Sequence, residues 1–593
     1  MDRRRFLRSS LYFTVVSASA SLAACGGSDD GAAPPPPDAF SFPSGLASGD
    51  PKDSSVVFWT RCLSNKGVEN VPLKLEVSTT SSFDALAASV ALTATRQYDY
   101  TVRAKVTGLA PATKYFYRFV AGQDKTPVGE TKTAPAPTST PAQLRFAWLT
   151  CQDWSVNHWA AMELIAAEDL DLLVHLGDYI YESVGASFQN GHAEPDHKRL
   201  TLPNGSARGN AVVATTLDDY RSLYRSYRSD PRLRELHRKF PMVAIWDDHE
   251  FSDDCWQDHQ TYDNANTQET SRRRSATQAW AENMPIDFGD LSFDLAKQTY
   301  DNIRIYRDFR FGTLMHLVMT DQRLYRDDHV VGEAELARLL THDSVTGDDK
   351  IGARYFVPLP LLKQFESLDG VLLGRAPAIL GTTQTQWWKE TLKGSQASWK
   401  VWGNEVTLNR MWIDLRASAP PPYNNQYVVN ADAWDGYPAH RAELMGFLKT
   451  NAIKNVVAIT GDLHAFQCGV IRDNPDPLVG TPVAVDFVAA GISSDSFYQY
   501  LKDGAGATPL APLVATPATF DAVMRGNNPD LLYADHDAQG FAIATVTAAS
   551  FSVVFHKVKR LNADGSKPAS PLLKKTKITL ALGSTTPVIE DNI

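Results

Sequence analysis

The stretch Asp171 to Glu182, DLLVHLGDYIYE, is an apolar run that breaks abruptly into a glycine, a carboxylate and two tyrosines. Leu172, Leu173, Val174 and Leu176 show no regular polar alternation, the pattern of a strand buried on both faces of a parallel or mixed sheet that helices cover. Gly177 and Asp178 then fall at the strand's carboxyl end, where open α/β sheets bind ligands.

Five more apolar runs end in the same way. LRFAWLT stops at Cys151, Gln152 and Asp153, and PMVAIW at Asp247, Asp248, His249 and Glu250. LMHLVMT stops at Asp321 and Arg323, WKVWG at Asn404 and Glu405, and NVVAIT at Gly461, Asp462 and His464. One such end means little, but six predict strand ends that converge on one site. Helical spacing and end signals fall between the runs, at Trp159 to Glu168, at TQTQWWKETLK closed by Gly394, and at AHRAELMGFLKT opened by Pro438. The Trp387 and Trp388 pair is assigned to helix packing. Two long polar stretches, Gly185 to Leu217 and Arg326 to Gly381, are expected to be rim loops.

Before this region, residues 40–134 hold short β-rich runs, SSVVFWTRC, VPLKLEVSTT, YDYTVRAKV and TKYFYRFVA, which predict a small β-sandwich. Gly108, Leu109, Pro111, Thr113 and Tyr115 resemble the GLxPxTxY corner of fibronectin-type modules, in which a tyrosine hydroxyl ties a turn to the sheet. Residues 135–143 are the expected linker and 144–560 the large domain. Residues 561–593 carry one strand-like run, KKTKITLAL, and a loose end.

The chain of 593 residues is 43% hydrophobic, with room for a large domain plus a smaller one. A net charge of -10 and a pI near 5.8 argue against a dedicated nucleic-acid binder, so an anionic substrate needs locally placed cations or metals. Arg3, Arg4 and Arg5 precede a short Ser- and Ala-rich segment, Leu11 to Ala24, too short to span a membrane. RRRFLR resembles a twin-arginine signal, which makes residues 1–24 an export signal and the expected location periplasmic or cell-envelope. Leu22, Ala23, Ala24 and Cys25 resemble a lipobox. Residues 25–39, rich in proline, would then be a tether on lipidated Cys25, and membrane contact is expected only through that anchor; cleavage after a small residue is the alternative. The five cysteines form no paired framework, and a single bridge such as Cys255 to Cys468 is left open.

Convergence would bring together Cys151, Asp178, Tyr181, Asp248, Asp462 and His464. Taken singly, each has a plain reading: a small buried thiol, a turn carboxylate, a core imidazole. Together, unpaired buried carboxylates beside a thiol and an imidazole call for metal ions. Thiolate and imidazole favour a transition metal and carboxylates a hard cation such as calcium or magnesium, so two kinds of metal are expected side by side. Tyr181, three residues after Asp178, can share its metal; Tyr179 competes for that role, and packing is its assigned one.

GDYIYE, WDDHE and GDLH, together with FPSGLASGDPKDSSVVFWTR, resemble the motifs of PhoD-like alkaline phosphatases of the calcineurin-like metallophosphoesterase superfamily, from about Phe40 to about Thr547. The resemblance implies an α/β (α+β) metallophosphoesterase β-sandwich flanked by helices, with an N-terminal all-β immunoglobulin/fibronectin-like domain. It also implies an active site holding Fe3+ and Ca2+, or other divalent metals, that hydrolyses phosphomonoesters. Carried onto this chain, Cys151, Asp178, Tyr181 and His464 would hold iron, with Asp178 bridging to calcium and Asp462 a further ligand. Asp248 stands where many members have a metal-binding asparagine, and Asp253 and Asp254 where close relatives often show asparagine, so Asp248, Asp254 or both are calcium candidates. His249 would protonate the leaving group or hydrogen-bond the phosphate. Arg323 would fork to a phosphate oxygen or pair with Asp321 or a neighbouring carboxylate; Asn404 is a candidate for the same surface. The expected partners are small phosphate esters met by a monomer, with no sequence-specific nucleic acid. The alternatives are a phosphodiesterase or phospholipase D-type activity on diesters or phospholipids, and a catalytically inactive surface binding lipoprotein.

Overall fold

The computed structural model describes residues 38–185, 193–208, 211–262, 265–289, 292–332, 354–421, 423–505 and 510–593. The export signal, the lipobox and Cys25 lie outside them. Along the chain the strands that build the main layers are β1 (Leu46–Gly49), β2 (Ser55–Arg61), β3 (Thr101–Thr107), β4 (Gln143–Leu149), β5 (Leu172–Leu176), β6 (Pro241–Ile245), β7 (Arg307–Phe311) and β8 (Met315–Met319). They continue with β9 (Tyr355–Pro358), β10 (Trp399–Asn404), β11 (Trp412–Asp414), β12 (Gln426–Asn430), β13 (Val456–Thr460), β14 (Phe466–Arg472) and β15 (Pro482–Val488). The last are β16 (Leu531–Asp535), β17 (Gly540–Thr547), β18 (Ser550–Val558), β19 (Leu572–Ala581) and β20 (Val588–Asp591).

Two sheets dominate. One has ten strands in the order β20-β19-β18-β17-β4-β5-β6-β1-β2-β3, and the other seven, β7-β8-β10-β13-β15-β14-β16. All six apolar runs of the sequence are strands. β4, β5 and β6 run parallel in the first sheet and β8, β10 and β13 in the second, so their carboxyl ends lie together on each. The strands are apolar on both faces because each sheet is covered twice. Between the sheets Phe146, Val174, Val401, Val457 and Ile459 share one core, and Trp399 and Phe487 meet Phe551 at 5.7 and 6.0 Å.

Helices cover the outer faces. α1 (Ala160–Ala166), α2 (Leu217–Tyr227), α3 (Pro231–Lys239) and α4 (Thr270–Asn283) bring Ile165, Leu223, Leu236 and Trp280 to the core of the ten-stranded sheet. α2 begins with a capping box between Thr216 and Asp219, and α3 with Asp230 ahead of Pro231, so both starts satisfy their first free amides. α5 (Leu359–Leu373), α6 (Gly381–Lys393) and α7 (Pro438–Thr450) follow. Trp388 and Leu392 of α6, with Leu444 and Leu448 of α7, pack on Val318, Trp402 and Ala458 of the seven-stranded sheet. Trp388 is thus a packing residue, 4.8 Å from Trp402 ring to ring, while Trp387 is half-buried against Tyr306.

The amino-terminal module has two sheets, as its short runs suggest, and Tyr115 Oη accepts a hydrogen bond from the Ala110 amide at 2.8 Å, as a tyrosine corner requires. One of its sheets is not its own: β1 pairs in parallel with β6, so the ten-stranded sheet runs from the module into the large domain without a break. Trp59 seals the join, donating to the Glu282 carbonyl at 2.7 Å under the Arg228 guanidinium. The loose end expected beyond Leu561 is also sheet. β20 pairs with β19 through Ile578 and Ile589, helped by Lys577–Glu590 and Lys574–Asp591 ion pairs. Within the expected rim stretches, residues 186–192, 209–210 and 333–353 lie outside the described residues; the rest includes β9 and α5, whose run LPLLKQFESLDGVLL is helical in the structure. Cys62, Cys151, Cys255 and Cys468 are buried free thiols, so Cys255 and Cys468 are not bridged.

Candidate active site

The strands leave their sheets abruptly at the site. Cys151, Asp178, Asp462 and His464 all have left-handed backbones, with φ of 55°, 56°, 59° and 56°. Non-glycine residues seldom adopt this conformation, and where they do the surrounding structure must enforce it. Glu250 is part of that enforcement: its carboxylate accepts from the amides of Asp178, Tyr179 and Asp247 at 2.9, 2.7 and 2.9 Å, stapling the ends of β5 and β6 together. Gly177 permits the approach. Its φ is +101°, and a Cβ there would lie 2.3 Å from Asp247 Cβ.

From these ends the side chains meet. Cys151, Asp178 and His464 offer a sulfur, an oxygen and a nitrogen that all lie within 4.8 Å of one another. Tyr181 Oη lies 3.3 Å from both Asp178 Oδ2 and His464 Nε2, and 2.7 Å from Ser494 Oγ. His464 Nδ1 donates to the Asp495 carbonyl at 2.7 Å, which leaves the Nε2 lone pair facing Tyr181 and Asp178. Burial pulls His464 down to about 4, so its imidazole is neutral. Burial also pushes the Cys151 thiol and the Tyr181 phenol well up, reinforced by the charge of Asp178. A donor set that gives up its protons only to a strong positive charge is what a multivalent cation would find here.

A second group adjoins the first through Asp178. Asp178, Asp248 and His249 lie within 4.8 Å of one another, as do Asp248, Asp253 and Asp254, and Asp247, Asp248 and Asp462. The Asp254 amide donates to Asp248 Oδ2 at 2.6 Å. Asp178 Oδ1 and Asp248 Oδ1 are buried and accept no hydrogen bond. Orphaned buried carboxylate oxygens are costly, and these two sit where the clusters join, which fits cations on either side of Asp178. His249 Nδ1 donates to Glu182 Oε2 at 2.7 Å, and its ring lies 4.1 Å from that of Tyr181. Burial alone would lower its affinity for a proton, but the carboxylates of Asp248, Glu182 and Asp178 outweigh it and hold His249 protonated.

Of the two residues offered as phosphate contacts, Arg323 takes its alternative role, pairing with neighbouring carboxylates, and Asn404 is engaged within the core. Arg323 is fully buried beneath the carboxylates: Nε pairs with Asp247, Nη1 with Asp432 at 2.9 Å and Nη2 with Asp462 at 3.3 Å. No nitrogen is left for a phosphate oxygen, and the guanidinium instead neutralises the acids. Asn404 is likewise fully buried. Its amide nitrogen donates to the Val406 carbonyl and Thr460 Oγ1, and its oxygen accepts from Gln322 and Trp434, so it braces β10 against β13. Tyr179 points into the core, hydrogen-bonded to His237 Nε2 at 2.8 Å. Asp432 and Arg354, which carried no readable motif, are close: Asp432 anchors Arg323 and Arg326, and Arg354 pairs with Asp254. Glu182 and Glu250 were visible as motif letters, but only the fold gives them partners.

The curated alkaline phosphatase D of Bacillus subtilis (strain 168) is 29% identical over 500 residues, which span 83% of this chain and 76% of that protein. A solved structure of PhoD matches with a TM-score of 0.72 and 26% identity over 92% of each chain. With the fold and the cluster at its strand ends, these likenesses define a phosphoric ester hydrolase. The family model for PhoD-like phosphatase matches residues 146–555 and that for its N-terminal domain residues 29–135. The chain belongs to the PhoD-like phosphatase family.

Proposed function

We propose that this phosphatase is metal-dependent, of the metallophosphoesterase type, and hydrolyses phosphomonoesters outside the cytoplasm. The observation that carries the reading is the convergence of Cys151, Asp178, Tyr181 and His464 within a few ångströms, joined through Asp178 to a carboxylate group with orphaned oxygens. Sulfur, phenol and imidazole suit ferric iron; Asp178, Asp248, Asp253 and Asp254 suit calcium, with Asp462 available at the junction. When bound, such metals neutralise phosphoryl oxygens and polarise the attacking oxygen.

The chain's own groups do the rest. Glu250 and Gly177 hold Asp178 in place, and Arg323 keeps Asp247 and Asp462 apart from each other's charge. Glu182 orients His249, whose proton suits the leaving alkoxide. Export follows from the twin-arginine-like start, with Cys25 as the proposed anchor. The test is elemental analysis of the purified exported protein beside its hydrolysis of p-nitrophenyl phosphate. Iron with calcium, and activity lost on chelation and restored by both, is expected; full activity with zinc alone sinks the ligand assignment.

A further inference from the structure

The carboxylate group has a closed side and an open one. The side chains of Asp253, Asp254 and Asp462 are 32%, 14% and 16% exposed, whereas Asp248 is 4% exposed and Arg323 not at all. Solvent reaches the clusters past Asp253, Asp254 and Asp462.

Aromatic side chains flank that approach. Tyr355 opens β9 directly after Arg354, whose guanidinium pairs with Asp254, and its ring lies 6.0 Å from that of Phe497. Phe497 begins α8 (Phe497–Ala505), its amide donating to the His464 carbonyl at 3.1 Å. One turn further on the same helix face, Tyr500 sets its ring 5.6 Å from the His464 imidazole. Tyr355, Phe497 and Tyr500 thus run as a wall from the carboxylate group to the thiol and imidazole.

The two tyrosines differ from the others around the site. Tyr179, Tyr181, Tyr227 and Tyr262 all engage their hydroxyls with neighbours. Tyr355 and Tyr500 are half-buried, their hydroxyls reach solvent, and neither hydroxyl makes a hydrogen bond among the described residues. Burial raises the Tyr355 phenol well above its usual range, reinforced by Asp254, Asp462 and Asp432; burial raises that of Tyr500 likewise, reinforced by Asp495, Asp153 and Cys151. Each phenol therefore faces the charged groups beside it and keeps a proton to donate.

We infer that Tyr355 and Tyr500, backed by buried Phe497, form the subsite for the alcohol half of the ester, and that this wall favours ring-bearing alcohols over small alkyl ones. The inference rests on the phosphatase reading above. With the phosphoryl half over the clustered donors, the alcohol half projects toward the open side, where the wall stands. Tyrosine suits that place, because its ring packs on an aromatic group while the hydroxyl at its tip donates to a polar substituent or an ester oxygen. Such contacts are alike in the ground and transition states, so they act through KM.

The experiment uses the metal-loaded enzyme and its Tyr355→Ala, Tyr500→Ala, Tyr355→Phe and Tyr500→Phe variants. It measures kcat and KM for p-nitrophenyl phosphate and ethyl phosphate, inhibition by inorganic phosphate, and bound metal. In each alanine variant kcat/KM for the aryl ester should fall about tenfold, the order an aromatic contact supplies, chiefly through a raised KM, and that for ethyl phosphate by clearly less. Inorganic phosphate has no alcohol half, so its inhibition constant should stay as in wild type, with metal content unchanged. Phenylalanine keeps the ring and should recover most of the loss. Equal falls on both esters, a phosphate inhibition constant that rises in step, or metal lost in parallel would each overturn the inference. Should the alanine variants not fold, an unchanged aryl-to-ethyl ratio in Tyr355→Leu and Tyr500→Leu does so. A wild-type enzyme inactive on both esters defeats instead the reading on which this one rests.

Discussion

Replacing Arg323 with leucine should destabilise the protein and loosen the site without acting on substrate binding alone. The guanidinium is fully buried and serves four carboxylates, Asp247, Asp432, Asp462 and, at 3.8 Å, Asp248. Removing one member of a buried ion pair costs about 3–5 kcal/mol, because the partner is left charged in a poor solvent. Asp432 keeps Arg326 at 3.1 Å and His329 at 2.7 Å, so the uncovered charges are those of Asp247, Asp248 and Asp462. Burial pushes Asp247 up to about 7 even though Arg323 pulls the other way. Without Arg323 that carboxyl takes up a proton more readily, so the variant's penalty should be largest above pH 7 and shrink below it. For a chain of 593 residues, unfolding entropy of about 2.1 cal/mol/K per residue turns ~4 kcal/mol into a Tm shift of only about 3 °C. Urea midpoints at pH 6 and pH 8.5, read beside steady-state kinetics, are therefore the better assay. An unchanged midpoint at both pH values with KM raised about tenfold would refute this reasoning and put Arg323 on the phosphate.

Tyr181→Phe should abolish any visible phenolate-to-metal band of the loaded enzyme and weaken iron binding; a persisting band moves the phenolate elsewhere. His175→Leu tests the strand that carries Asp178. His175 is fully buried with no partner for either ring nitrogen, and burial lowers it to about 3. Its unfolded state binds the proton first, so wild-type stability is lost as pH falls below about 6.5, at about 1.4 kcal/mol per pH unit. The leucine variant should therefore gain about 2 kcal/mol over wild type between pH 6.5 and pH 5 in denaturant midpoints, and an equal difference at both pH values refutes it. Cys25→Ser should release the protein from the membrane fraction; unchanged partitioning removes the anchor.

The architecture was legible where apolar runs were uninterrupted. LRFAWLT, DLLVHL, PMVAIW, LMHLVMT, WKVWG and NVVAIT announce strands because a doubly covered sheet needs no polar alternation, and all six are strands. The sharing of the ten-stranded sheet between module and large domain was not legible. β1 is only LASG, four buried residues, and nothing in so short a run names β6 as its neighbour. The candidate metal residues stood out because thiol, carboxylate and imidazole end apolar runs. Arg323 and Asn404 ended such runs too, and a strand end does not tell which groups face solvent and which are already saturated by neighbours. Arg354 lies within the long stretch Arg326 to Gly381 and precedes a strand without signature, so only its pairing with Asp254 places it beside the site.

The four left-handed residues say something about how this site is held. Each sparsely populated backbone costs of order 1–3 kcal/mol; Cys151, Asp178, Asp462 and His464 all carry that cost, and Cys151, Asp178 and His464 carry it together with buried, unfavourably solvated side chains. A loop would relax such strain. These residues cannot, because three of the turns begin directly at the ends of parallel strands, and the strands are fixed by a core shared between two sheets. Cross-links reinforce them: the Cys151 amide donates to the Gly177 carbonyl at 3.3 Å, and the Gln152 amide to that of Asp178 at 3.1 Å. The core thus supplies the stability, and the strand ends spend part of it presenting donors in one arrangement. For the proposed metals this means that ligands need little reorganisation to bind, which favours tight and selective uptake over rapid exchange.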